Sequence, residues 1–222
     1  MIIEEVFYAI QGEGLLSGTP SAFVRMEGST PRGTWCTPSE KHWTPGPGEL
    51  QLGPVMAAIR KHYCGHAVLT GDEPLHDPDI GALTELIRTI DQHITIETSG
   101  AVFAQVECDL MSIAPRLVMS SARKSRSLAY SREAIKQLIT SYPYQLKFAV
   151  GKREEMEEVK NLAEEIGADR ARVLLMPAGV KGKDLKEQTE WVLEACRFFG
   201  YRFSPRLQLM SPVAKKPDGA MR

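Results

Sequence analysis

Chemistry in this chain could be done where short apolar runs end in polar side chains and glycine. Gln11-Gly12-Glu13-Gly14 follows one such run, Thr70-Gly71-Asp72-Glu73-Pro74 a second, and Glu97-Thr98-Ser99-Gly100 a third. Ser112-Ile113-Ala114-Pro115-Arg116 and Pro177-Ala178-Gly179 repeat the pattern. Glycine lets backbone approach a ligand closely, so these ends read either as a ligand rim or as ordinary turns. Glu13, Asp72, Glu73 and Glu97 are the carboxylates available for proton transfer, and nothing in their spacing pairs any two as acid and base. Arg25 lies inside the apolar strand Ala22–Met26, where an unpaired guanidinium is costly to bury. It either forms an internal ion pair or clamps the carboxylate of a ligand. Cys36 stands alone on a polar loop, and a lone cysteine most often behaves as a small apolar side chain.

Regular elements must hold these ends. Residues 3–10, 22–26, 67–71, 94–98, 109–113, 144–150, 172–176 and 206–209 are short, apolar and often β-branched, the signature of strands. Between them, apolar residues recur at helical spacing, as in Leu52, Val55, Met56, Ile59 (a helix to about Tyr63) and Met156, Val159, Leu162, Ile166. Helical stripes also cover 80–90, 133–141 and 185–199, the last placing Cys196 in the core. Strands alternating with helices imply βαβ units and a largely parallel sheet. With some helices missing, the pattern fits an incomplete barrel better than a complete eightfold one. The polar ends at 11–14, 70–74, 97–100, 112–116 and 177–179 would then open together on one face.

Composition narrows the partners. The chain has 222 residues, 43% hydrophobic and 25% charged, with a net charge of -1, which suits an ordinary globular domain. That balance argues against nucleic acid as a partner. No apolar run approaches the ~20 residues a membrane helix needs, and Met1-Ile2-Ile3-Glu4-Glu5 lacks the pattern of a secretory leader, so a cytoplasmic protein is expected. Cysteines 36, 64, 108 and 196 are scattered and signal neither disulfides nor a zinc site. The basic, serine-rich stretch 118–132 reads as a solvated surface loop, with phosphate binding the sharper alternative.

Taken together, Val6-Phe7-Tyr8, Gln11-Gly12-Glu13-Gly14, Phe23-Val24-Arg25, Thr70-Gly71 with Glu73-Pro74, Ile96-Glu97-Thr98, Asp109-Leu110 with Pro115, Leu146-Lys147-Phe148 and Leu175-Met176-Pro177 resemble the 7-carboxy-7-deazaguanine synthases. These are radical S-adenosylmethionine enzymes of queuosine and deazapurine biosynthesis that contract a carboxy-tetrahydropterin ring. The resemblance implies an α/β fold, an incomplete TIM-like (β/α) barrel of the radical S-adenosylmethionine type, as a single domain over 1–210 with a disordered tail at 211–222. It implies Gln11, Glu13 and Arg25 in the pterin pocket, Arg25 on the substrate carboxylate, and a homodimer. It also implies a 4Fe–4S cluster, S-adenosylmethionine and magnesium as the family's cofactors.

Several positions depart from the family pattern. Its cluster loop carries three cysteines spaced CxxxCxxC; here Ser29 and Gly33 occupy two of those positions and Cys36 the third, within a degenerate loop at 29–49. Thr37-Pro38 replaces the Asp-Thr whose threonine helps hold magnesium. Asp72 replaces the second glycine of Gly-Gly-Glu-Pro, and Ala114 and Arg116 replace the serine and lysine of Ser-Pro-Lys. Thr70, Gly71, Asp72, Glu73, Glu97, Ala114 and Arg116 would thus form a degenerate S-adenosylmethionine site. One thiolate cannot hold a cuboidal cluster, so the expectation is a paralogue with no cofactor that keeps a pterin- or deazapurine-binding pocket. Two other readings stay open: a working radical enzyme drawing ligands from elsewhere, with Cys64 or Cys108 approaching Cys36, and a non-catalytic scaffold or regulatory partner.

Overall fold

The structure is a computed structural model that describes residues 1, 3–26, 52–62, 64–117, 130–178 and 182–210. The loop at 29–49 with Ser29, Gly33 and Cys36, most of the basic stretch, Gly179 and the tail at 211–222 lie outside the described residues. Eight strands form one sheet in chain order. They are β1 (Ile3–Ile10), β2 (Pro20–Met26), β3 (His66–Gly71), β4 (His93–Thr98), β5 (Leu110–Ile113), β6 (Tyr144–Val150), β7 (Val173–Pro177) and β8 (Arg202–Phe203). β1 runs antiparallel to β2, and every later pair is parallel. A strand order that never reverses, joined by crossovers of one hand, keeps the helices on one side and curls the sheet around the other. β1 and β8 are its two edges.

The helices are α1 (Leu52–Lys61), α2 (Ile80–Arg88), α3 (Arg132–Ser141), α4 (Glu155–Glu165), α5 (Gly182–Phe199) and the single turn α6 (Leu207–Met210). Ser131 caps α3 by accepting from the Ala134 N–H, as a residue with a short oxygen-bearing side chain does at a helix start. Apolar stripes such as Val55, Met56 and Ile59 on α1 and Met156, Val159 and Leu162 on α4 are buried. They share one core with alternate strand residues, among them Val24, Ile96, Leu146 and Phe148. Because side chains alternate across a strand, the intervening residues Arg25, Glu97 and Lys147 fall on the opposite, inner face.

The structure differs from the sequence expectations at two places. Residues 206–209 are not a strand: the last strand is the two-residue β8, followed by Ser204-Pro205 and α6. Proline has no N–H for a ladder, and the Leu207 N–H turns to the Gly12 carbonyl instead. In keeping with a pattern that lacks some helices, no helix joins β4 to β5. Residues 101–109 cross as an irregular strap pinned by Tyr142, whose hydroxyl accepts from the Val106 N–H at 3.0 Å and donates to the Ala104 carbonyl at 3.1 Å. Second, the polar ends do not all share one rim. β1 is antiparallel, so Ile10 pairs with Pro20, and residues 11–14 begin beside the start of β2, not beside the C-terminal ends of the parallel strands.

Phe148 is fully buried in the middle of β6. Truncation to alanine removes a large side chain from a packed core, and Phe148→Ala is expected to lower the unfolding free energy by about 3–5 kcal/mol in urea titration.

Candidate active site

The inner face carries a chain of charged side chains linking four segments. Lys147, 4% exposed, donates to Glu97 Oε1 at 2.9 Å and lies 3.6 Å from Glu13 Oε2. Glu97 Oε2 accepts from the Thr70 hydroxyl at 2.8 Å. On the far side, Glu13 Oε1 accepts from Arg206 Nε at 3.2 Å and from the Gln208 amide. Arg206 is itself buried and donates to the carbonyls of Pro177 and Ala178. A buried cation needs anions this close, because dehydrating it alone is costly. Burial opposes the charge on Lys147, yet Glu97 and Glu13 together hold its pKa above the usual lysine value. Burial likewise opposes the charge on Glu97, but Lys147 and the Thr70 bond keep that carboxyl below the ordinary range.

The loop that brings Glu13 here is sterically specified. A side chain at Gly12 would meet Gln208 Oε1 at 2.1 Å, and one at Gly14, where φ is +81°, would meet the Gln145 amide at 2.5 Å. The Gly14 N–H donates to Ser204 Oγ at 2.8 Å and the Leu15 N–H to Gln145 Oε1 at 2.7 Å. Segment 204–208 therefore stitches the loop after β1 to the segment after β8, bridging the gap between the two edge strands. Sequence reasoning missed Lys147, Arg206 and Gln208 as members of the site. For Lys147 the signal was present, a charge embedded in an apolar strand, the same signal that singled out Arg25.

The sequence-predicted residues fall into distinct groups. Glu13, Thr70 and Glu97 belong to the inner chain just described. Arg25 points inward beside it, 3.7 Å from Glu5 across the β1–β2 pair and 5.0 Å over the Phe7 ring. Gln11 is buried and donates to Ser21 Oγ at 2.9 Å, while its backbone closes the hairpin through Thr19 and Gly18. Glu73 is a structural carboxylate, accepting from the Thr98 hydroxyl, both the N–H and hydroxyl of Ser99, and the Leu75 N–H. Gly71 has φ +138°, and a Cβ there would lie 2.2 Å from the Met26 carbonyl oxygen, so only glycine fits where β3 ends against β2. Asp72 is half-buried, and Ala114 and Arg116 are exposed at the ends of their segments.

The described cysteines sit elsewhere. Cys64 precedes β3 and bonds the His66 carbonyl; Cys108 precedes β5 and bonds the Ile94 carbonyl. Both mark the N-terminal ends of parallel strands, whereas Thr70 and Glu97 lie at the C-terminal ends. At ~3.3 Å per residue the length of β3 separates those ends by roughly 15 Å. Burial pushes the Cys108 thiol up to about 12 and the Cys196 thiol, inside α5, up to about 11, which disfavours a thiolate ligand at either.

No family model matches this chain. Its fold is that of the crystal structure of QueE from Escherichia coli, with a TM-score of 0.68 at 22% identity over 91% of this chain and 92% of that one. The class is thus an α/β incomplete barrel of the radical S-adenosylmethionine type. Two 7-carboxy-7-deazaguanine synthases align over nearly the whole length. That of Halobacterium salinarum is 31% identical, covering 93% of this chain and 88% of the relative. That of Rhodopirellula baltica is 32% identical, covering 94% and 85%. The chain belongs to the 7-carboxy-7-deazaguanine synthase family. That membership overturns the expectation of a protein with no cofactor, because the family works with a 4Fe–4S cluster, S-adenosylmethionine and magnesium.

Two outcomes test this geometry. Glu97 ionises more readily folded than unfolded, so it contributes stability above its unfolded value of 4.5 that is lost as pH falls through its lower folded value. Urea titrations across that range should therefore show a steeper acid loss for the native chain than for Glu97→Gln. Gly71→Ala should lower the unfolding free energy by about 1–3 kcal/mol or more, from backbone strain combined with a direct clash.

Proposed function

We propose that this chain binds the carboxylated pterin or deazapurine class of its relatives inside the barrel, with S-adenosylmethionine at the strand ends around Thr70–Asp72. The observation that carries this reading is Arg25. Its side chain is 15% exposed on the inner face and, among the described residues, its guanidinium donates no hydrogen bond: Glu5 is 3.7 Å away, and Glu5 Oε2 has no hydrogen-bond partner. A guanidinium so placed can take a ligand carboxylate in a bidentate pair. Glu13, by contrast, is held by Lys147 and Arg206 and would offer an anionic acceptor to the N–H edge of a fused heterocycle. Asp72 adds a carboxylate just past the end of β3.

The reaction its relatives are named for gives 7-carboxy-7-deazaguanine, and the same reaction is the reading here. In the family a 4Fe–4S cluster supplies the radical chemistry, and the loop that would hold it here, with Cys36, lies outside the described residues. Cys36 is the lone cysteine of the loop, and Cys64, Cys108 and Cys196 lie at the wrong strand ends or in the helical core. Among the described residues, what this chain's side chains at the inner face do is bind and orient.

Calorimetric titration with carboxy-tetrahydropterin, 7-carboxy-7-deazaguanine and S-adenosylmethionine tests the reading, with the protein kept anaerobic and supplied with iron and sulfide in a parallel sample. Saturable binding of a carboxylated ligand that Arg25→Met weakens by about tenfold or more is expected for loss of a charged pair. Binding of none of the three by either sample would sink the proposal.

A further inference from the structure

Lys147 is the group in this barrel to which nothing so far assigns a role. It is the buried end of a charged network that joins a central strand, β6, to β4 on one side and to the loop after β1 on the other. We propose that Lys147 is the positioning residue of the site: its ammonium ties Glu13 to Glu97 and so holds the Glu13 carboxylate and the Thr70 hydroxyl toward a bound carboxylated heterocycle. The inference rests on the binding role given above to Glu13 and goes beyond it by naming the residue that sets its orientation.

Three observations support it. The first is reach. Glu13 and Glu97 come from segments that do not pair in the sheet, and the ammonium of Lys147 is within 2.9 Å of one carboxylate and 3.6 Å of the other. Second is the division of labour between oxygens. Glu97 gives Oε1 to Lys147 and Oε2 to Thr70, while Glu13 turns Oε2 toward Lys147 and Oε1 toward Arg206 and Gln208. Each carboxylate is therefore fixed from both sides, and the Thr70 hydroxyl proton is committed, which leaves its lone pairs facing outward. Third is charge. The groups facing Lys147 are Glu97 from β4 and Glu13 from the closing loop, with Arg206 behind Glu13 and Arg25 beside Glu97. Without the ammonium, Glu97 loses the cation that chiefly holds its carboxyl below the ordinary range and takes up a proton more readily, while Glu13 Oε2 loses the contact that fixes its orientation. A Glu13 carboxylate freed on that side would no longer be aimed at the ligand's N–H edge.

The test compares the native chain with Lys147→Met and Lys147→Arg, using 7-carboxy-7-deazaguanine as the calorimetric probe and thermal unfolding from about pH 7 to about pH 5 as a second readout. Truncating one partner of a buried charged pair should weaken probe binding by about tenfold or more in Lys147→Met, whereas Lys147→Arg, which restores the cation, should stay within about threefold. Stability against pH should also change sign. Glu97 in Lys147→Met would bind a proton more readily folded than unfolded, so that variant should gain stability on acidification over a range where the native chain does not. A folded Lys147→Met that binds the probe within about threefold of the native chain overturns the proposal. If the native chain binds no probe, the functional reading fails, and the pH profiles then decide the matter alone: parallel profiles overturn the role of Lys147, and the change of sign upholds its hold on the two carboxylates.

Discussion

A charged amine with almost no contact with water is the constraint around which this protein is arranged. Lys147 can remain ionised inside the barrel only because Glu97 and Glu13 stand against it, and each of those carboxylates is in turn satisfied by a further donor. Thr70 completes one side, and Arg206 with Gln208 completes the other. The cost of leaving any member unpaired in so enclosed a place exceeds the net worth of most single hydrogen bonds. The fold therefore has to bring β3, β4, β6, the loop after β1 and the C-terminal segment into one registered arrangement, and the parallel sheet provides it. Outer-face packing of Val24, Ile96, Leu146 and Phe148 sets the strands, and strand alternation then delivers the inner residues.

Function is written on that inner face in two layers. Some polar residues named by the family pattern maintain the frame: Glu73 holds the start of the chain beyond β4, Gln11 closes the hairpin, and Gly71 lets β3 end against β2. Others, Arg25, Glu13 and Thr70, are the ones the proposed binding reading uses. Kinship to the 7-carboxy-7-deazaguanine synthases is carried by both layers. The described cysteines add to neither, because Cys64 and Cys108 lie where their strands begin and Cys196 packs in α5.

Much of the frame was legible in the residues. Runs of apolar and β-branched side chains located β1 to β7 to within a residue or two, and helical spacing located α1 to α5, since both signals are local. The miss at 206–209 has a local cause that could have been weighed, Pro205 immediately before it, and a distant cause that could not, the Gly12 carbonyl that captures the Leu207 N–H. The direction of β1 was equally hidden. Nothing in Ile3–Ile10 says whether it runs with or against β2, and that choice moved residues 11–14 away from the other polar ends. Arg25 was recognised as a charge in an apolar strand, while Lys147 carried the same mark and went unused, because its partners are 50 and 134 positions away.

The stitch between the first loop and the last segment has a consequence for how the protein comes into being. Gly14 meets Ser204 across 190 positions, and Glu13 meets Arg206 across 193. Contacts of such span form late, after the entropy of closing a very long loop has been overcome. On a ribosome the strands can gather as they emerge, but Glu13 acquires Arg206 and Gln208 as partners only once residue 208 has left the exit tunnel. A chain made only as far as β7 thus has a sheet with both edges open and the loop that carries Glu13 untethered, and the inner charge network closes only when the segment after β8 arrives.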